Sequence, residues 1–157
     1  MENNVYKSPQ SNVGEKEKFE GMVKVYTPTQ VACGALVGGP IGLVYFLWAN
    51  FKSLMQESKA KNTLLIGIVA VVFFVFTLPF IPDGIPSSVS TVVYILIGKF
   101  VAERMQMTKD DIFASENHDF FSNWRVFGLG LVCLAGSTIV ILVPIFTLVY
   151  VGWLDPT

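Results

Sequence analysis

Four long apolar stretches alternate with polar ones along the chain, over about residues 28–51, 63–80, 86–105 and 125–154. Between Thr63 and Gly98 the only charged residue is Asp83, and between Val126 and Leu154 there is none. Uncharged stretches of this length, filled with Leu, Ile, Val and Phe, are typical of helices that cross a lipid bilayer. The pattern predicts an all-α polytopic membrane protein whose single helical membrane domain covers residues 27–157.

The first apolar segment is interrupted in its middle by Gly38, Gly39 and Pro40. Proline cannot donate a backbone hydrogen bond and clashes with the preceding turn, and glycine weakens a helix further. The segment is therefore predicted to be discontinuous, and two forms remain open. It spans the bilayer with a kink, or it enters and returns to the same side as a re-entrant hairpin.

The other three segments are predicted to be transmembrane helices. The second and third are joined by the proline-rich stretch Pro79–Pro86, which leaves room only for a tight turn, so these two helices are expected to be antiparallel neighbours. Residues 1–26 are polar and carry four lysines against four glutamates, and they are predicted to be a disordered tail.

The positions of Lys and Arg predict the orientation, because these residues favour the cytoplasmic side. None lies in the Pro79–Pro86 turn or after residue 125, whereas the 99–125 region holds Lys99, Arg104, Lys109 and Arg125. This region is therefore predicted to be cytoplasmic, and the turn and the C-terminus to lie outside. The side of the tail depends on whether the first segment spans or re-enters.

Small residues recur at helical spacing in the first and last segments. In lipid, such residues let helix backbones approach closely. Two interpretations are open. The small residues form an interface between copies of the chain or the seam of a pore, or they pack the first segment against the second or last segment of the same chain. The interruption at residues 39 and 40 favours packing within the chain. The packing candidates are Gly34, Gly38, Gly39, Pro40, Gly42, Cys133, Gly136 and Ser137.

Four further residues are predicted to lie at the level of the lipid headgroups, where long cations and tryptophans are favoured: Lys99, Trp124, Arg125 and Trp153.

The composition points away from several classes of function. Charged residues make up 15% of the chain, against about 25% in soluble proteins. A net charge of −1 offers no basic face for nucleic acid. Both cysteines lie in apolar segments, where they are expected to act as small hydrophobic residues.

A polar loop holds the single histidine and four carboxylates. A metal or acid–base site needs groups that converge in fixed geometry, which spacing on a loop does not provide. We therefore interpret the loop as solvated and expect no cofactor. The residues are Asp110, Asp111, Glu116, His118 and Asp119.

Four features of the chain together resemble small bacterial inner-membrane proteins of unknown activity. They are the stretch from Tyr26 to Phe51, the Lys-rich loop that follows it, a span that ends in Leu78-Pro79, and Asn123-Trp124-Arg125 before the last segment. The resemblance implies a location in the bacterial inner membrane. No activity, and no binding residue, comes with it.

The sequence thus favours a non-enzymatic accessory or structural membrane protein, which contacts the lipid bilayer and either itself or a larger membrane complex. A small oligomeric channel or transporter is the alternative, because non-helical backbone within a membrane is tolerated where it lines a cavity. A membrane enzyme that uses the loop of His118 is a third, weaker hypothesis.

Overall fold

The computed structural model describes residues 22–77, 82, 84 and 86–152. By length and composition, three of its helices could cross a membrane, and the predicted all-α membrane class is confirmed. The three are Pro28–Ser53, Glu57–Thr77 and Asn123–Tyr150, whereas Ser87–Met105, which was also predicted to span, is less apolar and is not among them. The elements in chain order are β1 (Val23–Val25), α1 (Pro28–Ser53), α2 (Glu57–Thr77), α3 (Ser87–Met105), α4 (Lys109–Ala114), β2 (His118–Phe120) and α5 (Asn123–Tyr150).

Helix α1 is a hairpin of two antiparallel half-helices that meet at Gly39, whose φ of 65° and ψ of −155° are not helical. At its open end the backbone N–H of Tyr26 donates to Oδ1 of Asn50 at 2.6 Å, and the Asn50 amide donates to the carbonyl of Tyr26 at 2.7 Å. A straight helix would hold these two residues about 36 Å apart. Nearer the tip, Gly34 lies against the ring of Phe46. Of the two forms left open by the sequence, the structure has the hairpin, whose two ends lie together.

The sequence explains why the chain reverses at this position. The left-handed φ of Gly39 is open to glycine at little cost, and Pro40 cannot donate the hydrogen bond that would continue the first half-helix. Residues 28–38 rise about 16 Å, roughly half of the thickness of a hydrocarbon core. The hairpin is thus long enough to reach the middle of a bilayer, and both of its ends lie at the same end of the molecule.

The hairpin forms the centre of the molecule, and α2, α3 and α5 pack around it. Each of the three surrounding helices presents a glycine to a different side chain of the returning half-helix, so the helix backbones lie close to it. The three contacts are Gly67 with Val44, Gly98 with Leu43, and Gly136 with Ile41.

Helices α2 and α3 pack on the hairpin rather than closely on each other, and a cavity separates them. The two helices are thus neighbours across the cavity rather than in direct contact along their length. A short turn connects the two helices in sequence, but each of them packs mainly on the hairpin. In the turn, Gly84 and the flanking Pro82 and Pro86 are described, whereas Pro79 lies outside the described residues.

The helix bounds differ from the predicted ones where a helix continues into polar sequence. Helix α2 begins at Glu57 rather than near residue 63, since hydropathy detects only its apolar part. Helix α3 matches the prediction within one residue but is less apolar than α2, and three charged residues lie near its end. Helix α5 begins at Asn123 and ends at Tyr150, and residues 153–157 lie outside the described part of the chain.

The last residues of the predicted tail are ordered, which corrects its boundary at residue 26. Val23–Val25 form β1, which pairs in parallel with β2, Lys24 opposite Asp119. Tyr26 is 1% exposed and packs edge-on against the ring of Phe46 at 4.9 Å between centroids. The partners of Val23–Val25 and Tyr26 all lie far away in the sequence, so no local pattern predicts that these residues are ordered. Residues 1–21 lie outside the described residues.

The hairpin predicts the accessibility of single cysteines in a variant that lacks Cys33 and Cys133. Because both hairpin ends lie at one end of the molecule, cysteines at the exposed positions Lys24 and Ser58 should react with a membrane-impermeant maleimide from the same side of a proteoliposome. A cysteine at Gly84 should react from the other side. Labelling of positions 24 and 58 from opposite sides would show that the first segment spans.

Candidate functional site: the re-entrant hairpin and its groove

One hydroxyl on α5 satisfies the backbone on both sides of the hairpin break. Ser137 donates from Oγ to the carbonyl of Gly38 at 2.7 Å and accepts from the backbone N–H of Ile41 at 3.3 Å. These groups belong to the last turn of one half-helix and the first turn of the other, where helical partners run out. Ser137 is 4% exposed, so water cannot take the place of its hydroxyl as the hydrogen-bond partner. An unsatisfied backbone group in hydrocarbon costs several kcal/mol, and Ser137 removes that cost at two groups.

The small-residue faces of the first and last segments meet beside this serine. A Cβ atom at Gly38 would lie 2.8 Å from Cβ of Cys133 and 3.2 Å from the carbonyl oxygen of Gly130. A Cβ atom at Gly39 would lie 3.1 Å from Oγ of Ser137. Contacts this short leave no space for a side chain on the hairpin tip. Gly136 is looser, with 3.5 Å from its Cβ position to Ile41.

Gly34 and Gly42 act within the hairpin. A Cβ atom at Gly42 would lie 2.6 Å from the carbonyl oxygen of Gly34 on the opposite half-helix. The GxxxGxxxG pattern is therefore divided between two buried contacts, one between the half-helices and one with α5. It does not form a single outward face, since a reversal at Gly39 separates Gly42 from the other two glycines.

The open end of the hairpin is held by a group of hydrogen-bonded side chains that we call the polar collar: Tyr26, Gln30, Asn50, Gln106 and Arg125. The Asn50 amide donates to Oε1 of Gln106 at 2.8 Å, and Gln106 donates to the carbonyl of Leu47 at 3.0 Å. Gln30 donates to the carbonyl of Phe121 at 2.6 Å and to Oδ1 of Asn123 at 2.8 Å. Arg125 Nε donates to the hydroxyl of Tyr26 at 3.4 Å. The collar thereby ties α1 to α3 and α5.

Gln30 and Gln106 were not among the residues that the sequence indicated. A signal for Gln30 was present, because Thr27-Pro-Thr-Gln30 fits a capping box, and both of its hydrogen bonds occur, at 3.0 and 3.2 Å. The second role of Gln30, its contact with α5, depends on residues about ninety positions away and has no local signal.

A cavity of about 650 Å³ lies between α2, α3 and the returning half of the hairpin. We call it the groove. Its lining is chiefly aliphatic and aromatic. Polar side chains lie at both ends, Lys59, Asn62 and Thr63 at the start of α2 and Ser90 and Tyr94 on α3, and Lys59 is the one that carries a charge. Pro40 belongs to the lining at the hairpin tip. Central positions of the lining are Leu43, Leu47, Ile66, Ala70, Val93 and Ile97.

The predicted interfacial residues lie near the collar, apart from Trp153, which is outside the described residues. Trp124 is 82% exposed, and the guanidinium of Arg125 lies 4.3 Å from the ring centroid of Phe121. Lys99 pairs with Glu103 one turn later on α3, at 3.7 Å between Nζ and Oε1.

The acidic loop makes local hydrogen bonds. In the cap of α4, Oδ2 of Asp111 accepts hydrogen bonds from the Thr108 hydroxyl at 2.6 Å and from the Thr108 backbone N–H at 3.0 Å. Both bonds stabilise the ionised carboxylate and therefore lower the pKa of Asp111. His118 Nδ1 lies 2.7 Å from Oγ of Ser115, and Asp119 accepts from the next backbone N–H. Within residues 22–77, 82, 84 and 86–152, no three His, Cys, Asp or Glu side chains are grouped to hold a metal ion.

No family model, no curated protein and no solved structure matches the chain. Fold and site together define a class, a polytopic helical membrane protein built around a buried helical hairpin. The resemblance to small bacterial inner-membrane proteins stays an expectation from the sequence.

The Ser137 contacts predict a specific loss of stability. Ser137→Ala leaves the Gly38 carbonyl and the Ile41 N–H without a partner, so the free energy of unfolding should fall by about 1–3 kcal/mol. The matched control is Thr138→Ala, because the Thr138 hydroxyl is exposed and bonds only to the Leu134 carbonyl of its own helix. Titration of the micellar protein with dodecyl sulfate, followed by circular dichroism, measures both. Equal losses in the two variants would contradict the role of Ser137.

The close contact at the tip predicts that Gly38→Leu is destabilising. The added side chain collides with Cys133 and the α5 backbone, and overpacking of this kind typically costs about 1–3 kcal/mol. Gly128→Leu is the control, since no atom lies within 4 Å of its Cβ position. Unfolding temperature and yield in detergent should drop for Gly38→Leu alone. Normal values for both variants would show that the tip is not tightly packed.

Proposed function

We propose that the protein is a non-enzymatic accessory or structural component of a larger membrane assembly, which it contacts through its helices. The observation that supports this most is the sparse packing of α2. Only Ala60, Gly67 and Val75 are buried among its 21 residues. Large side chains on its outer surface, such as Leu65 and Phe73, are 66% and 70% exposed. A helix that packs so little on its own chain has most of its circumference available to a partner helix or to lipid.

A second proposed contact surface lies beyond the collar, at the end of the molecule that carries α4 and the two strands. Phe113 and Phe120 are 63% and 41% exposed and pair edge-on at 5.7 Å between centroids. Exposed aromatic side chains are enriched in protein interfaces. This surface is the proposed contact for a cytoplasmic segment of the partner.

The proposed location is the bacterial inner membrane, with the collar end in the cytoplasm. The re-entrant form of α1 places the N-terminal strand, the α1–α2 connection and the 106–122 region at one end of the molecule. All of the described cations lie toward that end, and an excess of Lys and Arg favours the cytoplasmic side. They are Lys24, Lys52, Lys59, Lys61, Lys99, Arg104, Lys109 and Arg125.

The alternative of a small oligomeric channel or transporter has less support. A channel would use the broken segment to line a pathway with free backbone groups. At this break, however, Ser137 hydrogen-bonds to the Gly38 carbonyl and the Ile41 N–H, so these two groups are not free. The cavity that Pro40 lines is mainly apolar, whereas selective passage needs polar groups along the depth of the pore.

Native purification of tagged full-length protein in lipid particles, with mass-spectrometric identification of partners, tests the accessory role. Wild-type protein should recover a defined membrane protein in constant ratio, and Phe73→Ala should reduce that ratio several-fold because Phe73 extends from the outer surface of α2. Phe146→Ala is the control, with a similarly exposed phenylalanine on α5, 68% against 70%.

Two outcomes would contradict the accessory role. One is recovery of the protein without any partner in constant ratio. The other is flux of ions or solutes in liposomes that contain this protein alone, which would favour the channel or transporter.

A further inference from the structure

The shape of the groove limits what it can hold. Its lining on α2 extends from Lys59 to Phe74, which is about 22 Å along the helix axis. The cavity of about 650 Å³ is therefore elongated along the helix axis, a shape that suits an extended chain.

The chemistry of the lining changes along the groove. At the end formed by the last part of α2 and the first part of α3, the lining includes Phe74, Val89 and the uncharged polar residues Ser90 and Tyr94, and the middle is formed by aliphatic side chains. Walls of this kind bind hydrocarbon, and an empty cavity would forfeit dispersion contacts on both sides. The volume is within the range of about 300–1,000 Å³ for sites that bind small molecules.

The mouth of the groove is cationic. Lys59 is the single charged residue of the lining, and its ammonium group lies 5.9 Å from the ring centroid of Phe51, which belongs to the hairpin wall. Asn62 and Thr63 supply hydrogen-bonding groups on the next turn of α2. Glu57 lies nearby at the start of α2 but does not line the groove. The mouth is also at the collar end, where the headgroups of a bilayer would lie.

We propose that the groove binds one acyl chain of an anionic glycerophospholipid, with the lipid phosphate held by Lys59 and Asn62. The elongated apolar cavity accommodates the chain, and the single cation at its mouth selects for negative charge. The site is independent of the accessory role, since it needs no protein partner.

The test uses delipidated full-length protein in detergent, incubated with dioleoyl-phosphatidylglycerol or dioleoyl-phosphatidylcholine and measured by native mass spectrometry. Wild-type protein should retain one phosphatidylglycerol, with about tenfold preference over phosphatidylcholine. Lys59→Gln should remove the preference, and Lys61→Gln, which changes an exposed lysine outside the lining, should keep it.

A second pair of variants tests the groove itself. Ala70→Trp fills its middle and should reduce retention of both lipids several-fold, whereas Val69→Trp, at an exposed position outside the lining, should not. Equal retention of the two lipids by wild-type protein would overturn the proposal. So would an unchanged preference in Lys59→Gln, or a groove filled by a second copy, seen as a lipid-free dimer that Ala70→Trp dissociates. The lysine variants keep the test decisive if Ala70→Trp does not fold.

Discussion

Peptide groups inside a bilayer must be hydrogen-bonded within the protein, and this constraint governs the centre of the fold. Glycine and proline at residues 39 and 40 end one half-helix and start another at a depth where water cannot serve as the partner. The structure meets the constraint with a serine on a different helix, which reaches the last carbonyl before the break and an amide after it. Hairpin and α5 are therefore mutually dependent: without α5 the reversal would leave polar groups exposed to hydrocarbon.

From this contact the rest of the arrangement follows in two layers. At the tip, glycines bring the hairpin and α5 into backbone contact, and at the open end amide side chains hold the hairpin ends together. Between these layers, Val44 and Leu43 rest on glycines of α2 and α3. Both helices are thereby anchored to the hairpin, and the space that remains between them is the groove. The hairpin is thus in close backbone contact with α5 on one side and borders the groove on the other.

Local sequence features predicted much of the fold, because apolar length and proline position act within a helix. Neighbouring residues were enough to predict the long helices, the break at residues 38–40 and the small-residue faces. The choice between spanning and re-entrant forms could not be predicted in this way, since it depends on contacts such as Tyr26 with Asn50. The same holds for Gln106 and the groove. A cavity arises from how three elements diverge, and no single segment encodes that divergence.

The hairpin also bears on how the protein enters a membrane. Both of its ends lie at one end of the molecule, so in the proposed orientation Lys24 stays on the side from which the hairpin enters and is not moved through hydrocarbon. The polar stretch that this orientation moves across the membrane is the connection between α2 and α3, where Asp83 is the sole charge. In that orientation the energetic barrier to insertion is lower than for a chain that must export Lys24 and its neighbours.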